Sequence, residues 1–375
     1  MTKSTEIQLL ERNLYNYIPQ NYQNNKLSIW HRLPITRRSA VFILLFLGKL
    51  GELRVILTKR SSKLRNFPGH VALPGGKADN GLESEWAVSR REMFEEIGLN
   101  NSNEELKKLG LTIDHITMLP SYLSRTFSCV KPCVGLLKNL NNNDHMDLTT
   151  KLNIVLNPGE SSSIFSCPLR DFLHPSLDEP SLESLERVSY KVKWGGIPWD
   201  LRSYTFLQNN PNEVEWLKDI KQLSSSETEE SEEEWEKGET LDSEDKGRVT
   251  PSSLIEKKAK KVKKKNLSTW GRLGSRLDDE TNEKIYDVWG LTANVLHDLS
   301  EIVYLGKDIA NKRHIGEEEM IYCLYEYGNQ MRQKERSEEE VKLIHATHTS
   351  DDKEFGFHTI LPTSEFNRLK TLYKL

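Results

Sequence analysis

The nine-residue run Ser39–Leu47 (SAVFILLFL) limits the fold more than any other stretch of the chain. It is far too short to cross a bilayer, which takes about 20 apolar residues. It is also too continuous for a strand with one wet face, where apolar and polar residues alternate. A strand buried on both faces fits it, and such a strand needs a packed layer above and below its sheet. The turn residues GKLGE follow, and then a second β-rich run, LRVILTKR, at 53–60. The two runs read as a hairpin, and the expected fold class is α/β.

The rest of the chain reads as follows. Residues 1–37 are polar with one weakly amphipathic stretch (Ile7, Leu9, Leu10, Leu14), expected to form a helix or arm outside the core. The main part of the domain is expected over 38–207. Within it, 61–82 is loop-like, punctuated by Pro68, Gly69, Pro74, Gly75, Gly76 and Gly81. Residues 84–97 read as a helix stopped by Gly98. Short strands are expected at 113–118, 130–137 and 163–168. Residues 224–246 are acidic, serine-rich and nearly free of aliphatics, too poor in apolar surface to offset the entropy of ordering. With the basic stretch Lys257–Lys265, they lie in what reads as a solvated, charged insertion over 208–283. Residues 285–305 carry apolar residues at helical spacing, with Trp289 as a core anchor, and 316–345 offer another helix. Residues 284–345 are expected to complete the domain, leaving 346–375 as a tail.

Composition removes several functions. With a net charge of −4, the whole chain is not a basic nucleic-acid binder, and the lysine run reads as solvated rather than as an RNA site. Four cysteines without a C-x-x-C argue against a disulfide framework or a structural zinc, and they read as buried or neutral thiols in a reducing compartment. The N-terminus lacks the apolar core of a signal peptide, so a soluble intracellular protein without membrane insertion is expected.

The chemistry is concentrated in one helix. At ~100° per residue, Glu96 lies ~40° from Glu92 and Glu95 ~60° to the other side. Glu85 falls near Glu92 two turns earlier, while Trp86, Ala87, Met93, Phe94 and Ile97 fall opposite. Three carboxylates within one turn repel one another unless cations offset the repulsion. Hard divalent cations with oxygen ligands are suited to this, and Mg²⁺ also brings substrate phosphates. Arg91 can hold one carboxylate through a bidentate pair. Gly75 and Gly76, upstream, allow close backbone approach to an anionic ligand.

These residues resemble the Nudix box, G-x5-E-x7-R-E-U-x-E-E-x-G-U with U aliphatic. Arg91, Glu92, Met93, Glu95, Glu96, Gly98 and Leu99 match in order. The first half departs: Gly76 to Glu83 is one residue too long, and Leu82 stands at the expected glutamate. Glu83 therefore reads as a charge complementing the helix dipole. The preceding segment, Leu57-Thr58-Lys59-Arg60-Ser61 through Arg65, Gly69, Val71 and Pro74-Gly75-Gly76, is similar to the signature of coenzyme A diphosphatases in that superfamily, with Leu73 for the usual Phe. The shorter matches SYLSRTF (121–127), NPGE (157–160), WGGI (194–197), WGLTA (289–293) and YGNQM (327–331) point to the fungal peroxisomal branch.

The resemblance implies a Nudix fold, a mixed β-sheet sandwiched between helices, and metal-dependent hydrolysis of coenzyme A or a derivative to 3′,5′-ADP and 4′-phosphopantetheine. It implies Mg²⁺ or Mn²⁺ held by Glu92, Glu95 and Glu96, with Glu95, Glu96, Arg91 or Glu160 in the catalytic machinery. Arg60, Arg65, Gly75 and Gly76 become substrate contacts, and His70 reads equally as a phosphate contact or a structural hydrogen-bonding residue. It also implies a peroxisomal location, though Tyr373-Lys374-Leu375 only half resembles the S-K-L signal; the cytoplasm is the other expectation. Three alternatives stay open: another nucleotide substrate (an oxidised nucleotide, ADP-ribose, NADH or an mRNA cap), a non-catalytic binding module, and an RNA or partner role for the insertion. Oligomeric state is not legible.

Overall fold

The computed structural model describes residues 5–22, 27–140, 152, 154–218, 220, 275–278, 282–306, 313–346 and 355–373. The acidic run 224–246, the lysine run 257–265 and the last two residues lie outside the described residues. In chain order the strands are β1 (Arg38–Leu47), β2 (Leu53–Arg60), β3 (Val71–Ala72), β4 (Gly75–Lys77), β5 (Leu111–Met118), β6 (Tyr122–Leu123), β7 (Cys129–Asn139), β8 (Ser161–Pro168), β9 (Glu186–Trp194), β10 (Ile197–Leu207), β11 (Ser275–Leu277) and β12 (Lys284–Trp289). The main helices are α1 (Glu85–Ile97), α2 (Gly290–Leu305), α3 (Glu318–Glu326), α4 (Glu338–His345) and α5 (Thr363–Leu372).

The hairpin forms as expected, with Leu45 opposite Val55. β1 also runs parallel to β7, which pairs antiparallel with β5, so the sheet β3-β2-β1-β7-β5 is mixed. Side chains alternate along β1 and both sets are buried. Phe42, Leu44 and Phe46 pack with Met93 and Ile97 of α1. Ile43 and Leu45 pack with Leu296, Leu299 and Val303 of α2. The sheet is thus covered on both faces, as the unbroken apolarity of the run requires.

The segment 61–82 is not wholly loop: β3 pairs with β2, and β4 pairs antiparallel with β1. The expected helix over 285–305 begins later, because 284–289 form β12, and Gly290 (φ +62°) starts α2. Ile, Tyr, Val and Trp are strong strand formers, and a partner strand outweighed the helical spacing. β12 joins a second, antiparallel sheet, β11-β12-β10-β9, which the sequence reading did not anticipate. Its residues Tyr204, Phe206, Tyr286 and Val288 enter the α2-side core.

The outer segments also differ from expectation. Leu10 and Leu14 are fully buried against α2, and Trp30 is buried with its indole N–H donating to the Ser39 carbonyl at 2.9 Å. The N-terminal residues therefore form part of the core rather than an arm outside it. In the expected tail, Phe357 and Leu369 pack with Trp194, Ile197 and Met320. At the start of the expected insertion, Val214, Trp216 and Leu217 pack with Ile56 and Met93. In each case a few apolar residues in a polar stretch find a large apolar surface elsewhere, which local periodicity does not register. Where one helix was expected over 316–345, α3 and α4 form. The four cysteines are buried and free, as anticipated.

Truncating a buried leucine costs about 2–5 kcal/mol, whereas surface changes stay within about 0.5 kcal/mol. Leu14→Ala should therefore destabilise the protein by more than about 2 kcal/mol in urea unfolding; a surface-like loss would return residues 5–22 to an accessory role.

Candidate active site

Helix α1 is bounded by local chemistry. The Ser84 hydroxyl accepts from the Ala87 N–H at its start, and Gly98 (φ +73°) ends it with its N–H on the Phe94 carbonyl. Val88, Met93 and Ile97 face the core. Phe94, expected there too, is 45% exposed. Glu85 does not join the carboxylate group: it is buried and pairs with His31 at 3.0 Å.

β4 brings the two glycines to this helix. Hydrogen bonds to β1 place Gly75 opposite Val41 and Gly76 opposite Ala40. The Gly75 N–H then donates to Glu96 Oε1 at 3.3 Å. A Cβ on Gly76 would lie 2.3 Å from the Glu92 carboxyl carbon, so the glycine makes room for that carboxylate. Arg91 fans across the same face. It donates to Glu83 at 2.9 Å, Glu92 at 3.0 Å, Glu95 at 3.3 Å and the Lys77 carbonyl at 2.9 Å. Glu83 also accepts from the Asp79 N–H at 2.7 Å. Burial opposes its ionisation, but Arg91 and these N–H donors outweigh that and lower its pKa. Glu83 therefore anchors Arg91 and the preceding loop, a more specific role than dipole complement.

Glu96 is the least exposed member of the group. Burial, together with the charges of Glu92 and Glu160, pushes its carboxyl up to about 8 against the opposing Gly75 N–H and Arg60. Burial also raises Glu92, with Glu95 and Glu160 adding to the effect and Arg91 opposing it. Glu160, exposed on the turn before β8, reaches this group because its loop is pinned to α1: the Asn157 N–H donates to the Glu96 carbonyl at 3.0 Å and the Val155 N–H to that of Ile97 at 3.1 Å. Arg60 approaches from β2, and its buried Nε has no hydrogen-bond partner. Thus Arg91 ties Glu92 to Glu95, Gly75 and Gly76 abut Glu96 and Glu92, and Arg60 and Glu160 lie near enough to act on the charge of Glu96, although Glu92, Glu95 and Glu96 do not bring one oxygen each within 4.8 Å of one another in this arrangement. Arg65 is exposed on the loop between β2 and β3.

His70 stands at the edge of the site, between the rings of Phe67 (5.4 Å) and Trp289 (5.5 Å). Burial and Arg60 lower its pKa to about 4, so it is neutral at pH 7. Trp289, expected as a core anchor, sits half-exposed at the end of β12. The sequence offered no cue to this meeting, because 219 residues separate the two in a 375-residue chain.

A second acidic group on α2 was not singled out: His297, Asp298 and Glu301, all buried. Here a cation of the chain is already in place, since Arg313 bridges both carboxylates. Tyr122 and Ser176 donate to them as well. Burial opposes ionisation of Glu301, but His297, Arg313 and Ser176 prevail and hold it at about 2. Glu96 shifts the opposite way, chiefly because it is buried with the Gly75 N–H and the more distant charge of Arg60 as its compensation.

Residues 36–187 match the NUDIX domain family. Over 373 residues, 95% of this chain and 92% of the other, the chain is 38% identical to peroxisomal coenzyme A diphosphatase 1 of Saccharomyces cerevisiae. The chain belongs to the Nudix hydrolase family. It is also 42% identical over 180 residues to the mitochondrial Nudix hydrolase 15 of Arabidopsis thaliana, spanning 48% of this chain and 54% of that protein. It is 32% identical over 131 residues to the peroxisomal coenzyme A diphosphatase NUDT7 of Mus musculus, spanning 35% of this chain and 47% of that protein. The NUDIX match ends as β9 begins, so the second sheet and α2 lie beyond it.

Two outcomes follow for this Nudix site. Folding raises the proton affinity of Glu96 from 4.5 to about 8, so as pH rises through that window the unfolded chain releases its proton first. Stability of the metal-free enzyme should therefore fall between these values. Thermal unfolding in chelator should show a declining Tm, and Glu96→Gln should flatten it; a Tm that climbs through the window contradicts the shift. Gly76→Ala should keep the fold, because the clash is with a flexible side-chain end. It should weaken divalent-cation binding by about tenfold or more, read by Mn²⁺ titration.

Proposed function

We propose that this Nudix enzyme hydrolyses the diphosphate of coenzyme A and its derivatives, oxidised coenzyme A included, to 3′,5′-ADP and 4′-phosphopantetheine or the matching derivative. The observation that carries this reading is the meeting of Glu92, Glu96 and Glu160 beside Gly75 and Gly76, with Arg60 of the coenzyme A-type segment facing the same carboxylates. The full-length similarity to a yeast coenzyme A diphosphatase supports the substrate.

The donor set fits a hard divalent cation. It is all oxygen, burial and then the neighbouring carboxylates raise the pKa of Glu92 and Glu96, and Gly76 leaves the space that a side chain would take from Glu92. Glu92, Glu95 and Glu96 would hold Mg²⁺ or Mn²⁺, which when bound neutralises diphosphate oxygens and acidifies water. The chain's own groups do the rest. Arg91, tied to Glu83 and the Lys77 carbonyl, holds Glu92 and Glu95 in place. Arg60, partly exposed at the end of β2, offers its guanidinium charge to a diphosphate oxygen. Arg65, exposed on the loop between β2 and β3, is assigned to the 3′-phosphate on the resemblance of its segment alone. Glu160, on the solvent side of the group, accepts the proton of the attacking water. Positioning and charge neutralisation supply most of the rate. The names of the relatives favour a peroxisomal location, and no described helix is long and apolar enough to cross a membrane.

Incubation with coenzyme A and Mg²⁺ or Mn²⁺ should release 3′,5′-ADP and 4′-phosphopantetheine, identified by mass spectrometry. Glu92→Gln or Glu96→Gln should lower kcat by about 10²-fold or more in a folded protein. Full turnover in either variant, or faster cleavage of ADP-ribose, NADH or a capped nucleotide, overturns the assignment.

A further inference from the structure

The loop between β2 and β3, residues 61–70, leaves the carboxylate group and returns to it. At its start the Ser61 N–H donates to the Glu160 carbonyl at 2.9 Å, and at its end the His70 carbonyl accepts from the Arg60 N–H at 2.9 Å. Between these two ties the loop exposes Lys63, Arg65 and Phe67. Phe67 is 43% exposed and has φ +53°, a left-handed conformation that bulky residues rarely adopt. Neither burial nor backbone preference accounts for a phenylalanine there, and strain of this kind collects where a ligand is held.

Two more rings complete an aromatic corner. The His70 imidazole lies 5.4 Å from the Phe67 ring and 5.5 Å from the Trp289 indole, tilted by 58° and 57°, so it stacks face to face on neither. Half-exposed Trp289 comes from the second sheet, and its strand is fixed near the carboxylates. Tyr286 of β12 stacks on Phe165 at 3.9 Å, and its hydroxyl bonds to that of Ser163 at 3.1 Å, three residues beyond Glu160. The indole also packs against Val192 and Leu201, so it is a supported ring rather than a loose one. The corner and the carboxylates thus share the same anchors, Glu160 and the ends of β2 and β8.

The charge beside the corner narrows the choice of ligand. Lys59–Arg65 holds four basic residues and no acid, and it runs directly into Phe67 and His70. A ligand on this loop is therefore anionic near the carboxylates and flat at the rings. Coenzyme A has one such half: 3′-phospho-ADP carries the phosphates and ends in a planar base, which stacks on aromatic side chains. The pantetheine arm is a neutral, flexible chain with no flat ring to offer. We propose that the corner of Phe67, His70 and Trp289 seats the adenine base of coenzyme A, with Phe67 and Trp289 supplying ring faces for stacking. The His70 ring adds no charge, since burial and Arg60 keep it neutral at pH 7. This assignment deepens the coenzyme A reading and rests on it.

The test is product inhibition of coenzyme A hydrolysis by the full-length enzyme. Trp289→Leu keeps an apolar side chain against Val192 and Leu201 but removes the ring face. Phe67→Leu alters an exposed side chain, so it does not depend on tolerance of the second sheet. Each should weaken inhibition by 3′,5′-ADP roughly tenfold and leave inhibition by 4′-phosphopantetheine unchanged, and Trp289→Phe should restore most of the loss. Unaltered 3′,5′-ADP inhibition in either leucine variant, or an equal or larger loss for 4′-phosphopantetheine, overturns the assignment to the base while the hydrolytic reading stands. Coenzyme A left intact by the wild-type enzyme overturns that reading itself.

Discussion

The short antiparallel pairing of β4 with the start of β1 is the contact on which the site depends. Three residues, Gly75–Lys77, lie along Ser39–Val41 and so bring two glycines to the carboxylates of α1. One glycine gives an N–H to Glu96, and the other gives up the space that Glu92 occupies. β1 can anchor this pairing because it is itself immobilised between two cores, with α1 on one face and α2 on the other. A chemically demanding loop is thus attached to a strand covered on both faces, as preorganisation requires.

Two acidic clusters in one molecule show how environment decides chemistry. On α2, Asp298 and Glu301 share Arg313, and the pair is a finished internal network. On α1, Arg91 is spread over Glu83, Glu92 and Glu95 and does not reach Glu96. The difference appears as opposite shifts, Glu301 held at about 2 and Glu96 pushed up to about 8. A buried carboxylate without its own cation is unfavourable for folding and useful for binding one.

The second sheet and the terminal segments extend the domain beyond the NUDIX match. β12 carries Trp289 to His70. Leu10, Leu14, Phe357 and Leu369 seal the flanks.

Much of this could be read from the residue order alone. A run of apolar residues demands a strand covered twice, and a serine, a spaced set of glutamates and a glycine demand a capped helix with an acidic face, because these signals act over a turn or a strand. The pairing of Arg91 with Glu92 and Glu95 was legible for the same reason. Tertiary structure alone decided that Glu85 turns to His31, that Glu160 joins the group, that Lys284–Trp289 form a strand and that the N-terminal leucines enter the core. Each of these depends on a partner distant in the chain, and the free energy of burying a side chain or pairing a strand against such a partner exceeds the local preferences that the order of residues records.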